Sequence, residues 1–139
     1  DGVRNESVTS LSFADGSFKH VLSFDVLEHV PDYARGLSEV HRVLEMGGNF
    51  LFSVPFLANV QETLVRARVS QAGEIEHLLP PEYHGDPLAA EGCLCFHHFG
   101  WDVLDSCRQA GFSQAFAVAV WSREFGYLGP EQLFFLARK

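Results

Sequence analysis

Apolar positions fall into two periods along the first half of the chain. Lys19 to Phe24 is a short run rich in strand-forming residues that ends on an acid, Asp25. Asp32 to Glu45 changes period: Tyr33, Leu37, Val40 and Leu44 are spaced 4, 3 and 4 apart, which predicts a helix. Pro31 is placed to open it, because the N–H that proline lacks would be an orphan at that position. Gly47 and Gly48 are placed to close it, since a helix commonly ends in a left-handed residue. Asn49 to Phe56 is a second apolar run, halted by Pro55. Two near-continuous apolar strands joined by a helix predict a βαβ unit with parallel strands.

Further on, the pattern weakens. Asn59 to Gln71 predicts a helix with Val60, Leu64 and Ala67 on one side and Glu62 and Arg66 as an i,i+4 ion pair. Gly73 to Gly92 is irregular, with Pro80, Pro81 and Pro87 forbidding regular structure through most of it. A loop of that length, here with His77, His84 and several acids, is usually functional or disordered. Phe99-Gly100-Trp101 opens a helix that runs to Ala110 and stops at Gly111, with Trp101, Leu104 and Cys107 on one face. Ser113 to Val120 and Leu133 to Ala137 are strands, joined by a hairpin-like connection over Trp121 to Pro130.

The 139 residues suit one domain, and 47% hydrophobic content suits a real core. The net charge of −8 lacks the basic face a phosphate-backbone binder needs, so nucleic acid is not an expected partner. No apolar run reaches membrane-spanning length. Three cysteines without scaffold spacing suit a reducing cytoplasm. Cys93, Cys95, His97 and His98 lie close together, but Cys93-x-Cys95 is not the C-x-x-C of a zinc site. Strand alternation explains the pair as buried apolar thiols, so no metal is expected.

An ordered string of motifs carries a family resemblance. Leu11-Ser12-Phe13, Asp15-Gly16-Ser17-Phe18, Asp25-Val26-Leu27-Glu28-His29-Val30-Pro31-Asp32, Arg42-Val43-Leu44 and Gly47-Gly48 resemble class I S-adenosylmethionine (SAM)-dependent methyltransferases, small-molecule branch. The resemblance is good from Asn5 to about Phe56 and looser from Phe96 to Lys139. It implies an α/β, three-layer Rossmann-like fold. It also implies a first strand, a G-x-G turn and a ribose-binding acid, none of which is recognisable before Phe18. The expected fold is therefore N-terminally truncated. Its strands would be the family's fourth, fifth, seventh and sixth in spatial order, parallel except for the seventh. The expected division is one partial domain over residues 1–139. It comprises a lead-in over 1–18, a core over 19–56, an insertion or lid over 57–96, and a helix with a strand pair over 97–139.

The resemblance also implies a site. Phe24, Asp25, Val26 and Leu27 would wall the cofactor pocket where the first strand ends, as open α/β sheets bind ligands. Glu6, Ser7 and Val8 would line the adenine side, with Ser7 at the position where a carboxylate is usual. His29 would lie near the transferring methyl, as a positioning group more than a general base, with Glu28 supporting the turn. Methyl transfer from SAM to a small-molecule acceptor is the implied activity, with SAM binding weak or absent in this chain alone. A non-catalytic interaction module derived from the same fold is the rival reading, and a metal-binding regulatory domain a third. The strand near residues 20–24 would form an unprotected edge, and a homodimer through it is expected.

Overall fold

The computed structural model describes residue 2 and residues 4–85 and 92–139. Its centre is a four-stranded sheet in the order β1-β2-β10-β9, made of β1 (Phe18–Phe24), β2 (Leu44–Ser53), β10 (Tyr127–Arg138) and β9 (Gln114–Ser122). β1 and β2 are parallel, in register from His20↔Asn49 to Phe24↔Ser53. β10 runs antiparallel to both its neighbours, with Phe135 opposite Phe52 on β2 and Ala117 on β9. The strand order and the single reversed strand are those the resemblance implies.

Strand alternation decides what the sheet buries. Phe50 and Phe52 of β2, Phe135 and Ala137 of β10 and Ala115 of β9 point one way into the core. They meet Leu37 and Val40 of α1 (Tyr33–Val43) and Val103 and Cys107 of α2 (Val103–Gln109). The three phenylalanines form a stack, with ring centroids 4.6 Å apart for Phe50–Phe52 and 5.2 Å for Phe52–Phe135. Leu22, Leu51, Leu136 and Phe116 point the other way and line up across all four strands. Among the described residues no helix covers that face, where Leu22 is 62% exposed and Phe24 47%. The second helical layer of the full fold has no counterpart there.

Three local expectations are corrected. Pro31 does not start α1: Asp32 caps it, its carboxylate accepting from the Arg35 N–H at 3.0 Å. The glycine turn is not a break before β2, which already begins at Leu44. Glycines 47 and 48 instead form a bulge inside it, where the register slips between Phe18↔Leu44 and His20↔Asn49. Gly47 takes the left-handed φ of 77°. Gly48 needs space instead, since a Cβ there would lie 2.9 Å from the Glu45 carbonyl oxygen and 3.0 Å from that of Lys19.

The third correction is the largest. Asn59 to Gln71 is not a helix; it holds β3 (Leu64–Val65) and β4 (Ala67–Val69). β3 pairs with β8 (His97–His98), and β4 with β5 (Ile75–His77). The helical spacing of Val60, Leu64 and Ala67 competes with β-branched Thr63, Val65 and Val69. Strand partners settle the competition, β8 more than thirty residues away for β3 and β5 just across a turn for β4, as tertiary context does for strands. Arg66 does not pair with Glu62; its guanidinium reaches Glu82 at 3.1 Å and the Pro80 carbonyl at 2.9 Å. The proline-rich stretch contains β5 and also β6 (Tyr83–His84), which pairs with β7 (Cys93–Leu94). Part of the expected lid, residues 86–91, lies outside the described residues.

The lead-in wraps α1. Arg42 donates to the carbonyls of Phe13 and Leu11 and to the Asp15 carboxylate. Glu39 accepts from the Leu11 N–H at 2.9 Å and pairs with Arg42. Leu11 and Phe13 line a small apolar hollow with Phe18, His20, Val21 and Val43. The lead-in thus packs beside β1 without adding a strand to it.

Candidate functional site

The parallel strands β1 and β2 end side by side at Phe24 and Ser53, and the next residue of the first is Asp25. Its φ of 52° is the one positive value among the described non-glycine residues. Aspartate is among the few side chains that tolerate this region, and such outliers gather at ligand sites. The conformation is held from β2. Asp25 N–H donates to the Ser53 carbonyl at 3.2 Å, and Ser53 Oγ donates to Asp25 Oδ1 at 3.0 Å. Phe24, Asp25, Ser53 and Val54 open onto a cleft of about 330 Å³ whose far wall is Gln132, Leu133 and Phe134 of β10. It lies outside the carboxyl ends of the parallel pair, where open α/β sheets take ligands.

The other expected cofactor residues divide. Val26 is exposed beside the cleft, whereas Leu27 is fully buried in the core. Val8 packs toward Leu27 over Gly36, where a Cβ would meet Val8 at 3.5 Å and Leu27 at 3.7 Å. Glu6 is turned onto Ser12, accepting from its N–H at 2.9 Å and its hydroxyl at 2.6 Å. Those two hydrogen bonds hold the Glu6 carboxyl below its ordinary value. Ser7 lies 3.0 Å from the Thr9 hydroxyl. Phe24, Asp25 and Val26 therefore cluster at one opening, while the side chains of Glu6 and Ser7 serve their own loop.

Glu28 and His29 belong to a 3-10 turn, Leu27–His29, just past the cleft. His29 Nδ1 lies 2.8 Å from the Leu94 carbonyl, which can only accept, so Nδ1 carries the proton. The Nε2 lone pair is left facing Glu28 Oε1 at 3.7 Å. Glu28 is fully buried, and neither carboxylate oxygen has a hydrogen-bond partner. Burial pushes its pKa up and the nearby Asp25 charge adds to the rise, against His29 and His84. Its backbone carbonyl accepts from Phe96 N–H at 2.7 Å, which ties the turn to the long excursion.

The excursion supplies the rest of this cluster. His84 Nδ1 is 3.7 Å from Glu28 Oε1, and its ring meets the His29 ring edge-on at 5.0 Å. Glu82 Oε1 accepts from His84 Nε2 at 3.1 Å and His98 Nε2 at 2.9 Å, which keeps the Glu82 carboxyl ionised to lower pH than usual. Cys95 is buried and its thiol donates to the His97 carbonyl at 3.3 Å. Burial alone pushes the His97 imidazole down to about 4. Sequence reasoning placed Glu28 only as a turn support, gave Arg66 the wrong partner and missed Glu82. No periodicity marks an acid that meets its partners across a proline-rich loop.

Residues 2–52 match the family described as a methyltransferase domain. A probable SAM-dependent methyltransferase of Mycolicibacterium smegmatis is 42% identical over 53 residues, 38% of this chain and 21% of that protein. A solved SAM-dependent methyltransferase of Mesorhizobium loti superposes with a TM-score of 0.58 at 21% identity. That match covers 96% of this chain and 67% of the other. The 1,6-didemethyltoxoflavin-N1-methyltransferase of Burkholderia thailandensis, solved with 1,6-didemethyltoxoflavin and S-adenosylhomocysteine, gives a TM-score of 0.53 at 21% identity. There the coverage is 95% of this chain and 48% of the other. The chain thus spans about a fifth of the curated relative and from about half to two thirds of these two structures.

Proposed function

We propose, for a chain with the fold of the class I SAM-dependent methyltransferases, that it carries the acceptor side of a methyl-transfer site and part of the cofactor pocket. The observation that carries this reading is Asp25, held at positive φ by Ser53 where the two parallel strands end. A carboxylate that only accepts, flanked by exposed Phe24 and Val26, suits a ligand with donor groups on an apolar body. SAM is such a molecule, and when bound it supplies an electrophilic methyl on a sulfonium. The chain's own residues would orient and desolvate the partners, which is most of what such a displacement requires of a protein. A small-molecule acceptor is supported by the Burkholderia relative, which is solved with one.

His29 would position the acceptor through Nε2. In a protein with a complete cofactor site, His29→Ala should lower methyl transfer about tenfold, short of the hundredfold or more that loss of a general base brings. The 139-residue chain alone should bind SAM with a dissociation constant above about 10 μM. Amide shift mapping with millimolar SAM tests the placement. Shifts centred on Phe24 to Leu27 and Ser53 support the reading; shifts confined elsewhere overturn it. A dissociation constant well below that bound would show the pocket to be more complete than proposed.

The rival module reading draws on one observation, the open apolar row Leu22–Leu51–Leu136–Phe116 beside the unpaired edge of β1. A homodimer through residues 20–24 follows from that edge. Light scattering on the isolated chain checks it. Twice the 15.5 kDa mass, weakened by Val21→Lys, supports the dimer, and a stable monomer at micromolar concentration removes it.

A further inference from the structure

We propose that Glu82, His84, Cys95 and His98 form a structural zinc site that staples the excursion between β2 and α2. One carboxylate oxygen, two imidazole nitrogens and one sulfur, from four different residues, all lie within 4.8 Å of one another. A tetrahedral zinc with bonds of about 2.0–2.3 Å sets its donor atoms about 3.3–3.8 Å apart. Glu82 Oε1 is already 3.1 Å from His84 Nε2 and 2.9 Å from His98 Nε2. Small side-chain rotations convert that hydrogen-bonded arrangement into a coordination sphere. Sulfur with two imidazoles and one carboxylate is a zinc donor set, and four protein donors leave no open position for chemistry.

The surroundings carry the argument further. Glu28 is a fully buried carboxylate with no hydrogen-bond partner, and its Oε1 lies 3.7 Å from His84 Nδ1. An uncompensated buried charge is costly. With zinc on His84 Nε2, the proton of that imidazole moves to Nδ1, which then donates toward Glu28. That is the carboxylate–histidine–metal relay common around zinc. Arg66 holds the other oxygen of Glu82 at 3.1 Å, fixing its direction. Binding replaces the Cys95 S–H by a zinc–thiolate bond and releases that proton to solvent. The spacing Cys93-x-Cys95 argued against a metal because it paired the wrong residues. The donors come as Glu82-x-His84 and Cys95-x-x-His98, and only the β6–β7 pairing brings the two halves together.

The test uses the whole chain, stripped with chelator and titrated with zinc alone against a chromophoric competitor, and with cobalt as a spectroscopic stand-in. One zinc per chain is expected, with a rise in thermal midpoint on loading. The cobalt form should show tetrahedral visible bands and a thiolate charge-transfer band. Cys95→Ser should abolish the latter and weaken zinc about a hundredfold, while Cys93→Ser leaves both in place. Glu82→Gln, which keeps the side-chain shape, and Glu28→Gln should each weaken zinc by about tenfold or more. No stoichiometric binding overturns the proposal. So does a thiolate band that survives Cys95→Ser or disappears with Cys93→Ser, or a folded Glu82→Gln chain with unchanged zinc affinity.

Discussion

The helix-covered face of the sheet and the small contact where the excursion over residues 57–98 meets the 3-10 turn both enclose side chains, but of different kinds. Between the sheet and its helices the fully enclosed side chains include Phe50, Phe52, Phe135, Leu27, Leu37, Val103 and Cys107. Where the excursion meets the 3-10 turn, Cys95, Phe96 and Ala67 are enclosed together with Glu28 and His97. The first region is held by shape and apolar area; the second is bordered by the directional pairings of Glu82 with Arg66, His84 and His98. An apolar core loses stability in proportion to the volume removed. A polar cluster depends instead on whether each member still has its partner. The two regions should therefore answer substitution in different ways.

The largest effect is expected in the apolar region. Phe52 is fully buried and stacked between Phe50 and Phe135, so Phe52→Ala should cost about 3–5 kcal/mol. Urea unfolding would read this as a large fall in midpoint with little change in slope. A loss below about 1 kcal/mol would mean that the stack is not the core of the molecule. Gly48→Val comes next. Its Cβ would press on two backbone oxygens, which cannot rotate away, at a cost of about 2–3 kcal/mol. Gly48→Ala should show nearly the same loss, because the first carbon makes the clash. A well-tolerated alanine would show that the bulge can open.

These two sites also mark what could be read before the fold was known. β1, α1 and β2 follow from local period, since each buries one stripe or face against a sequence neighbour. The strand order needed the motif string, because nothing local says that β10 inserts between β2 and β9. The Gly47–Gly48 turn was visible as a pair, but not which member needs left-handed φ and which needs room. The excursion was misread at Asn59 to Gln71 because its strands are two or three residues long, too short to show a period. Asp25 was legible as an acid ending a strand, though its strained φ was not. Glu28 was read as supporting its turn; its full burial was not legible, since the turn is tied by a backbone hydrogen bond to Phe96, sixty-eight positions away.

A pH experiment adds a third kind of contact to the comparison, the clasp of the lead-in on α1. Glu39 clasps Arg42 and the Leu11 N–H, and the Arg42 hydrogen bonds above all pull its carboxyl from 4.5 to about 2. A depressed carboxyl pKa adds stability above the unfolded value and loses it as pH falls through the window from 4.5 to about 2. The side chain is partly solvated, so the contribution is about 1 kcal/mol. Glu39→Gln should be less stable than the parent by that amount at neutral pH, and the two should converge in acid. A constant gap across the window would assign Glu39 a packing role instead of a charge role.

The smallest expected effect compares two ion pairs inside the excursion. Arg68 and Glu76 face each other across the β4–β5 hairpin at 2.7 Å, with side chains 64% and 46% exposed. Arg66 and Glu82 are 3.1 Å apart, but the arginine is only 14% exposed, and the same glutamate holds His84 and His98. Distance alone would rank the first pair stronger. Solvent reverses the order, since an exposed pair gains little Coulomb energy and must order two long side chains. A double-mutant cycle on Arg68→Ala and Glu76→Ala should give a coupling of about 0.3 kcal/mol that fades in salt. The cycle on Arg66→Ala and Glu82→Ala should give at least about 1 kcal/mol and persist, because removing Glu82 strands the largely enclosed Arg66 guanidinium. Equal couplings in the two cycles would mean that solvent reaches Arg66 as freely as Arg68, and that the excursion is not held by its polar cluster.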